Sequence, residues 1–307
     1  EVKTHADEKG CWELQITTPA ASFEEYTLTL TDGEQSVTLQ HLLIGEVWLC
    51  AGQSNMVIPL NGFDYCPISD SNNVIADAPN HPGIRMVTIK PTVKLSPQEY
   101  AEGSWQQPTT ENAPKFSAAA YHYALTLQRT LQIPIGVITC AWGGSRVEGW
   151  LPKEILQPYK DEDLTLIGSD KTPVYLQSML MYNGILYPCH KYTIKGFIWY
   201  QGESNVRSSR TYAERLATMV KHWRSIWKQG DLPFYYVEIV PFACEYKEDG
   251  YIGALLREAQ QKALSLIPNS GMIGTNDLVE TYEATQVHPH NKKGLGERHA
   301  YMSLNKT

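Results

Sequence analysis

The chain has 307 residues, 42% of them hydrophobic, and a formal net charge of −7. A chain of this length can bury a full core, which predicts one large domain with room for a smaller appendage. The negative charge argues against nucleic acid or an anionic membrane surface as the main partner, because neither would attract it. No apolar stretch approaches the ~20 residues that a membrane-spanning helix needs. From the charge and the lack of such a stretch, we expect no nucleic acid and no membrane among the partners.

Six cysteines are spread along the chain without the spacing of a disulfide framework or a zinc site. Cys50 and Cys140 lie in apolar runs, where a cysteine behaves as a small hydrophobic residue. The other four lie in less regular segments that are compatible with one disulfide bond: Cys11, Cys66, Cys189 and Cys244. The first residues show no basic region followed by an apolar one, so no signal peptide is predicted.

Residues 1–44 alternate apolar and polar side chains, as antiparallel strands with one solvated face do. The alternation is clearest in Trp12–Ile16 and Tyr26–Leu30, and turn-forming residues follow at Thr31–Gly33. Two or three strands are too few for an independent sheet. We therefore predict that residues 1–44 are part of a β domain, packed on its neighbour or cut from a larger module.

Residues 45–307 change to a pattern of strands alternating with helices, read from short apolar runs and from apolar positions at helical spacing. This pattern predicts an α/β fold with a parallel sheet, helices on both faces and a ligand crevice beyond the carboxyl ends of the strands. The predicted strands are Glu46–Cys50, Ile84–Ile89, Ile135–Cys140, Ile194–Tyr200, Phe234–Val240 and Met272–Thr275. The predicted helices are Phe116–Leu131, Val174–Leu186, Thr211–Trp227, Ile252–Leu266 and Asn291–Leu304.

The most informative motif is the sequence GQSNM at residues 52–56, directly after the apolar run Val47–Ala51. A serine at this end of a buried strand lies where α/β sheets bind ligands, and Gly52 allows a sharp backbone turn before Ser54. The Gly-x-Ser-x-Gly elbow of α/β-hydrolases needs a second glycine where this chain has Met56. By itself the segment is compatible with a serine nucleophile of another architecture or with a polar turn.

Two further polar segments follow predicted strands. The paired glycines of Trp142–Arg146 can leave backbone N–H groups free for an oxyanion, although an ordinary tight turn has the same composition. In Trp199–Asn205, the Asn205 amide can also donate to an oxyanion, and the alternative is a cap for the next helix. The aromatic residues beside the motifs are expected in the core before any contact with a sugar: Trp142, Trp150, Trp199 and Tyr200.

A histidine candidate precedes the last predicted helix, in the segment Gln286–Lys292. Pro289 can fix this loop and hold the His288 imidazole in one orientation, as a general base for a serine hydroxyl requires. A loop histidine is also compatible with an ordinary surface position, and His290 competes for the same role.

Together these four segments resemble the SGNH hydrolase superfamily and, within it, the sialate O-acetylesterase family of carbohydrate esterases. The resemblance covers nearly all of residues 45–307. It implies an SGNH-hydrolase (flavodoxin-like) fold, with a three-layer parallel sheet and helices on both faces, preceded by a partial antiparallel β segment at residues 1–44. It also implies an O-acetylated carbohydrate as substrate, first of all O-acetylated sialic acid, with acetylated xylan or another polysaccharide as the alternative.

The resemblance assigns roles to individual residues. Ser54 is the implied nucleophile and His288 its general base, while the N–H groups of Ser54 and Gly144 and the Asn205 amide hold the oxyanion. No metal and no cofactor is implied, since acetyl transfer to serine and then to water uses only these groups. Members of the family are commonly exported, so an extracellular or periplasmic location is expected.

The chain departs from the superfamily pattern next to the histidine. Many members have an aspartate two or three residues before it, where this chain has Gln286 and Thr285. Our hypothesis is a Ser-His dyad or a displaced acid. The imidazole would then be oriented by a backbone carbonyl or by one of three acidic residues: Asp277, Glu280 and Glu283.

Two other classes of protein remain open at this point. A glycoside hydrolase needs two carboxylates beside the scissile bond, and Glu203 is the only acidic residue within these motifs. A non-catalytic carbohydrate-binding protein is compatible with the missing acid and the incomplete β region.

Overall fold

The computed structural model describes residues 1–242 and 251–306. They form a two-stranded antiparallel sheet and a six-stranded parallel sheet with helices on both faces, so the predicted fold class is confirmed. The strands are β1 Ser22–Thr31, β2 Ser36–Ile44, β3 Glu46–Gly52, β4 Ile84–Thr88, β5 Ile135–Ala141, β6 Gly196–Tyr200, β7 Phe234–Val237 and β8 Ser270–Ile273. The α-helices are α1 Ser54–Val57, α2 Ser71–Asp77, α3 Ala118–Leu131, α4 Lys153–Leu156, α5 Ser209–Trp227, α6 Ile252–Leu266 and α7 Lys292–Lys306.

The hairpin of β1 and β2 contains the predicted strand Tyr26–Leu30. The predicted strand Trp12–Ile16 is wrong, because residues 11–19 have no regular secondary structure. Trp12 is 54% exposed, and an alternating pattern forms a strand only where a partner strand and a buried face are available.

The large sheet has the strand order β4-β5-β3-β6-β7-β8, with every neighbouring pair parallel. All six strands predicted after residue 45 are present, with ends that shift by one to three residues. The central strand β3 pairs with β5 and β6, so Gly52 lies opposite both Ala141 and Tyr200 at the carboxyl end. The turns after β3, β5 and β6 therefore meet at the middle of one sheet edge.

Helices cover both faces of this sheet, as the strand–helix alternation predicts. Trp48 and Cys50 of β3 pack in the core that contains α3 and part of α7, whereas Leu49 and Ala51 pack in the core that contains α5 and α6. Side chains buried on both faces are the reason that the strands of a parallel sheet are almost continuously apolar. Of the four aromatic residues expected in the core, Trp142 is partly buried. The other three are fully buried: Trp150, Trp199 and Tyr200.

The predicted helix Val174–Leu186 is wrong. The segment forms a 3₁₀ turn at Val174–Leu176 and a π-helix at Tyr182–Leu186, with a left-handed residue, Met179, between them. At Gly184 a Cβ atom would lie 2.1 Å from the backbone oxygen of Thr92. Tertiary contact between two backbones therefore overrides the helical spacing of apolar side chains.

The five cysteines of the described residues are free thiols, and Cys244 lies outside the described residues. Within residues 1–242 and 251–306, no group of His, Cys, Asp and Glu side chains has the geometry to hold a metal ion. None of the described helices combines the length and apolar character needed to cross a membrane.

Candidate active site

The backbone around Ser54 is tied to the two neighbouring strands. The Gln53 N–H donates to the Tyr200 carbonyl at 2.9 Å, and the Trp142 N–H donates to the Gly52 carbonyl at 3.0 Å. Gly52 has a φ of +145°, and a Cβ atom at this position would lie 2.1 Å from the Tyr200 oxygen. Glycine is therefore required where the chain turns from β3 into α1.

The turn after β5 lies directly beside Ser54. The Ser145 N–H donates to the Trp142 carbonyl at 3.2 Å, and neither central glycine N–H is needed for a turn of this kind. A Cβ atom at Gly143 would lie 3.7 Å from the Ser54 Cβ. Gly144 has a φ of +74° and packs under the Tyr175 ring. Gly143 thus places this turn next to the partly exposed Ser54 side chain.

The Asn205 side chain is buried and held in one orientation. Its Oδ1 accepts hydrogen bonds from the Val147 N–H at 2.9 Å and from Gln201 Nε2 at 2.7 Å. Its Nδ2 donates to Glu148 Oε2 at 3.0 Å, which leaves one amide hydrogen for another acceptor. Glu148 is in turn hydrogen-bonded to Arg215 of α5. The predicted oxyanion donor is therefore positioned by a buried ion pair.

The loop that carries His288 is joined to the turn that carries Ser54. Asn55 Nδ2 donates to the Val287 carbonyl at 2.9 Å. The two partners of this bond are the sequence neighbours of Ser54 and His288, so the structure brings the predicted nucleophile and base into the same region. The Cys66 thiol donates to the His288 carbonyl at 3.0 Å and fixes the loop from the other side.

The His288 imidazole is 6% exposed, and neither ring nitrogen has a hydrogen-bond partner among the described residues. Aromatic rings hold it instead, since its centroid lies 5.6 Å from Phe63 in an edge-on arrangement and 6.1 Å from Tyr65. Packing therefore orients the ring. A free ring nitrogen is available to a serine hydroxyl or a substrate.

None of the three acidic candidates contacts this imidazole. Asp277 pairs with Arg298 at 2.7 Å and is 70% exposed. Glu280 and Glu283 cap the short 3₁₀ helix Thr281–Glu283, and Glu283 also pairs with His290 at 2.5 Å. In the described structure none of these carboxylates is in contact with the ring, and the Ser-His dyad stays a prediction.

A second buried network lies beneath Ser54. Lys292 Nζ donates to Asn55 Oδ1 at 2.6 Å, and Asn55 Nδ2 donates to Glu203 Oε1 at 2.8 Å. Burial lowers the pKa of Lys292 to about 8 and raises the pKa of Glu203. Burial, together with the neighbouring positive charge of Lys292, lowers the pKa of His288 to about 4. The imidazole is therefore neutral, as a general base must be, over most of the pH range.

Comparison with known proteins identifies the family. The model of the carbohydrate esterase family of sialic acid-specific acetylesterases matches residues 44–305. The chain belongs to this family. Human sialate O-acetylesterase is 26% identical to this family member over 294 residues, which cover 89% of the chain and 54% of the human protein. The chain thus spans about half the length of the sialate O-acetylesterases that it matches.

Solved structures agree with the family assignment. A carbohydrate acetylesterase from Xanthomonas citri superposes with a TM-score of 0.84 at 30% identity, covering 98% of this chain and 65% of that one. A protein from Arabidopsis thaliana superposes with a TM-score of 0.51 at 19% identity over 85% of this chain, which reflects the fold alone.

Several residues of this candidate site are not assigned to it by the sequence-based prediction. Lys292 and Glu203 lie inside motifs, yet nothing in their spacing indicates that both contact Asn55. Glu148 and Arg215 lie 67 residues apart along the chain. Phe63 lies outside all of the predicted strands, helices and polar segments. Only the three-dimensional arrangement brings these side chains together.

Proposed function

We propose that the chain is a serine O-acetylesterase that acts on acetylated carbohydrates. The observation that carries this proposal is the hydrogen bond between Asn55 and Val287, which joins the turn of Ser54 to the loop of His288. The glycine turn beside Ser54 and the fixed Asn205 amide supply oxyanion donors at the same sheet edge.

The reaction proceeds in two acyl transfers. His288 takes the proton of the Ser54 hydroxyl while Oγ bonds to the acetyl carbon, and the negative charge moves to the carbonyl oxygen. The N–H groups of Ser54 and Gly144 and the Asn205 amide stabilise this oxyanion, each by about 3 kcal/mol in comparable sites. The C–O bond to the sugar then breaks, and the sugar oxygen receives the proton from His288.

The second transfer regenerates the enzyme. Water loses a proton to His288 as its oxygen attacks the acetyl-serine carbonyl. A second oxyanion forms in the same place, and its collapse releases acetate and returns the proton to Ser54. Both transfers use only side chains and backbone amides of this chain.

We propose O-acetylated sialic acid as the first substrate to test, because the relatives at 24–26% identity are sialate O-acetylesterases. An acetylated polysaccharide such as xylan is the alternative, supported by the Xanthomonas citri relative, a carbohydrate acetylesterase. Acetate release from a panel of acetylated sialosides and xylo-oligosaccharides separates the two. A Ser54→Ala variant that retained full activity would contradict the proposal.

The two rival classes are tested by simple reagents. Glu203, the only acid within the motifs, is buried and hydrogen-bonded to Asn55, so we expect hydrolysis of p-nitrophenyl acetate and not of p-nitrophenyl glycosides. A fluorophosphonate probe should label Ser54. A folded protein that is neither labelled nor active on acetyl esters would favour a non-catalytic binding protein.

A further inference from the structure

A cavity of about 290 Å³ lies beside the His288 loop. This volume is at the small end of the range for ligand sites in proteins. One wall belongs to the segment 65–69 and the other to residues of the segment 282–290. The lining includes Tyr65, Cys66, Ser69, Tyr282, Glu283, Gln286 and His290.

The cavity shares its walls with the candidate active site. Tyr65 lines the cavity, and its ring centroid lies 6.1 Å from that of His288. Cys66 donates to the His288 carbonyl, and the Ser69 N–H donates to the His290 carbonyl at 3.1 Å. The cavity and the His288 ring are therefore both neighbours of the same aromatic side chain, Tyr65.

The mouth of the cavity carries two large aromatic side chains that face solvent. Tyr65 is 67% exposed and Tyr282 is 76% exposed. The Tyr282 ring stacks on His290, with centroids 5.7 Å apart and an angle of 21° between the planes. Exposed aromatic faces with polar groups beside them (here Ser69 and Gln286) match a sugar ring, which presents apolar C–H faces and a rim of hydroxyl groups.

The charged residues of the cavity favour an uncharged sugar over an anionic one. No Lys or Arg is among its lining residues, and Glu283 lies on its wall. Although burial opposes it, hydrogen bonds to Glu283 from the Glu280 and His290 backbones and from the His290 side chain lower the pKa of this carboxyl, so it stays ionised. A sugar carboxylate would therefore find an ionised carboxylate that already pairs with His290, and no lysine or arginine to bind it.

We propose that this cavity is a subsite for an uncharged pyranose that adjoins the acetylated sugar in the same oligosaccharide. An effect of this subsite on turnover rests on the proposed esterase function. The subsite would bind the sugar next to the one that carries the acetyl group. It is compatible with a sialoside whose next sugar is neutral and with a neutral polysaccharide.

The kinetic test compares substrates of different length. We expect kcat/KM for an acetylated disaccharide with a neutral second sugar to exceed that for the acetylated monosaccharide by about tenfold. Tyr282→Ala should reduce this ratio toward one. Tyr301→Ala is the matched control, because Tyr301 is also exposed but lies on α7 and does not line the cavity; it should leave the ratio unchanged.

A binding test separates the subsite from the chemistry. Unacetylated disaccharide is titrated into Ser54→Ala protein and into the Ser54→Ala/Tyr282→Ala double variant by isothermal calorimetry or NMR. Weaker binding by the double variant supports the subsite even if no ester is hydrolysed. Equal binding by both, a ratio of one in the wild type, or equally tight binding of a disaccharide with a uronic acid as second sugar would overturn it. Loss of acetate release from every substrate, with disaccharide binding retained, would instead count against the esterase function.

Discussion

At the scale of single residues, His288 combines burial with the absence of a carboxylate partner among the described residues. In a Ser-His-Asp triad the acid stabilises the imidazolium that forms during attack. Here the charge that acts on the ring is the ammonium of Lys292, which destabilises the imidazolium. The imidazole therefore stays neutral, and able to accept a proton, down to a lower pH than an ordinary histidine. Its lower pKa also makes it a weaker base.

The first prediction concerns the pH dependence of kcat/KM. Because the pKa of His288 is lowered to about 4, protonation of the base should reduce activity only as the pH falls toward that value. With an unperturbed histidine, whose pKa is about 6.5, the enzyme would lose activity at a pH about two units higher. A pH–rate profile with p-nitrophenyl acetate measures the acid limb. A limb between pH 6 and 7 would contradict the prediction.

The second prediction isolates the contribution of Lys292. Lys292→Met removes a buried positive charge, which should raise the pKa of His288 and move the acid limb of the profile to higher pH. The shift should stay below the full difference from an ordinary histidine, because burial is the larger cause. Lys293→Met is the matched control, since Lys293 is the exposed neighbour. Equal profiles for both variants would exclude an electrostatic role.

The third prediction tests the dyad. Asp277→Asn should lower kcat by no more than a few fold, because Asp277 is a surface residue paired with Arg298. His288→Ala removes the proposed general base and should lower kcat by about 10²–10⁴-fold. Steady-state kinetics with circular dichroism as the folding control compares the two. Equal and severe losses with the fold intact would favour a triad through Asp277.

At the scale of elements, Arg215 connects α5 to the proposed oxyanion donor Asn205. This side chain is 3% exposed and reaches Glu148, which holds Asn205. We predict that Arg215→Met destabilises the protein by about 3 kcal/mol, the lower end of the range for a broken buried ion pair, because Arg146 lies 3.7 Å from the same carboxylate. Urea denaturation measures the change. The control Arg210→Met, an exposed position of α5, should change the free energy of unfolding by less than about 0.5 kcal/mol.

The elements that the sequence predicts correctly are those in which local pattern and burial agree. The strands of the large sheet are apolar runs bounded by turns, and α6 begins and ends at the predicted residues, Ile252 and Leu266. The failures, Trp12–Ile16 and Val174–Leu186, lie where a partner strand or a distant backbone decides the conformation. The short helix α2 has no buried residue and gives no apolar signal.

The motifs predict which strand ends carry polar residues, because parallel strands place their carboxyl ends at one edge. They do not predict what supports those residues. The contacts of Lys292 with Asn55 and of Arg215 with Glu148 span 237 and 67 residues of sequence. The packing of Phe63 and Tyr65 on His288 is likewise invisible until the chain is folded.

At the scale of the whole molecule, the hairpin β1–β2 touches the α/β body at few points. Phe23 packs over Gly83, where a Cβ atom would lie 2.4 Å from its ring, and Glu25 lies 3.8 Å from Arg85. We predict that a chain beginning at residue 45 folds with a loss of about 1–2 kcal/mol, since Phe23, which packs on the body, is only half buried. Urea denaturation and p-nitrophenyl acetate turnover check this. Failure of residues 45–307 to fold would assign the hairpin to the same cooperative unit.

The backbone bonds from Gln53 to Tyr200 and from Trp142 to Gly52 have a consequence for local motion. Each crosses from one strand of the sheet to the next at its centre, so neither amide can reach water unless β3 separates from a neighbour. Native-state hydrogen exchange should therefore place both amides among the slowest of the molecule, exchanging only through global opening. The segment that bears the proposed nucleophile would then resist local unfolding as strongly as the core does. A loss of activity on mild heating should therefore originate in the surrounding loops.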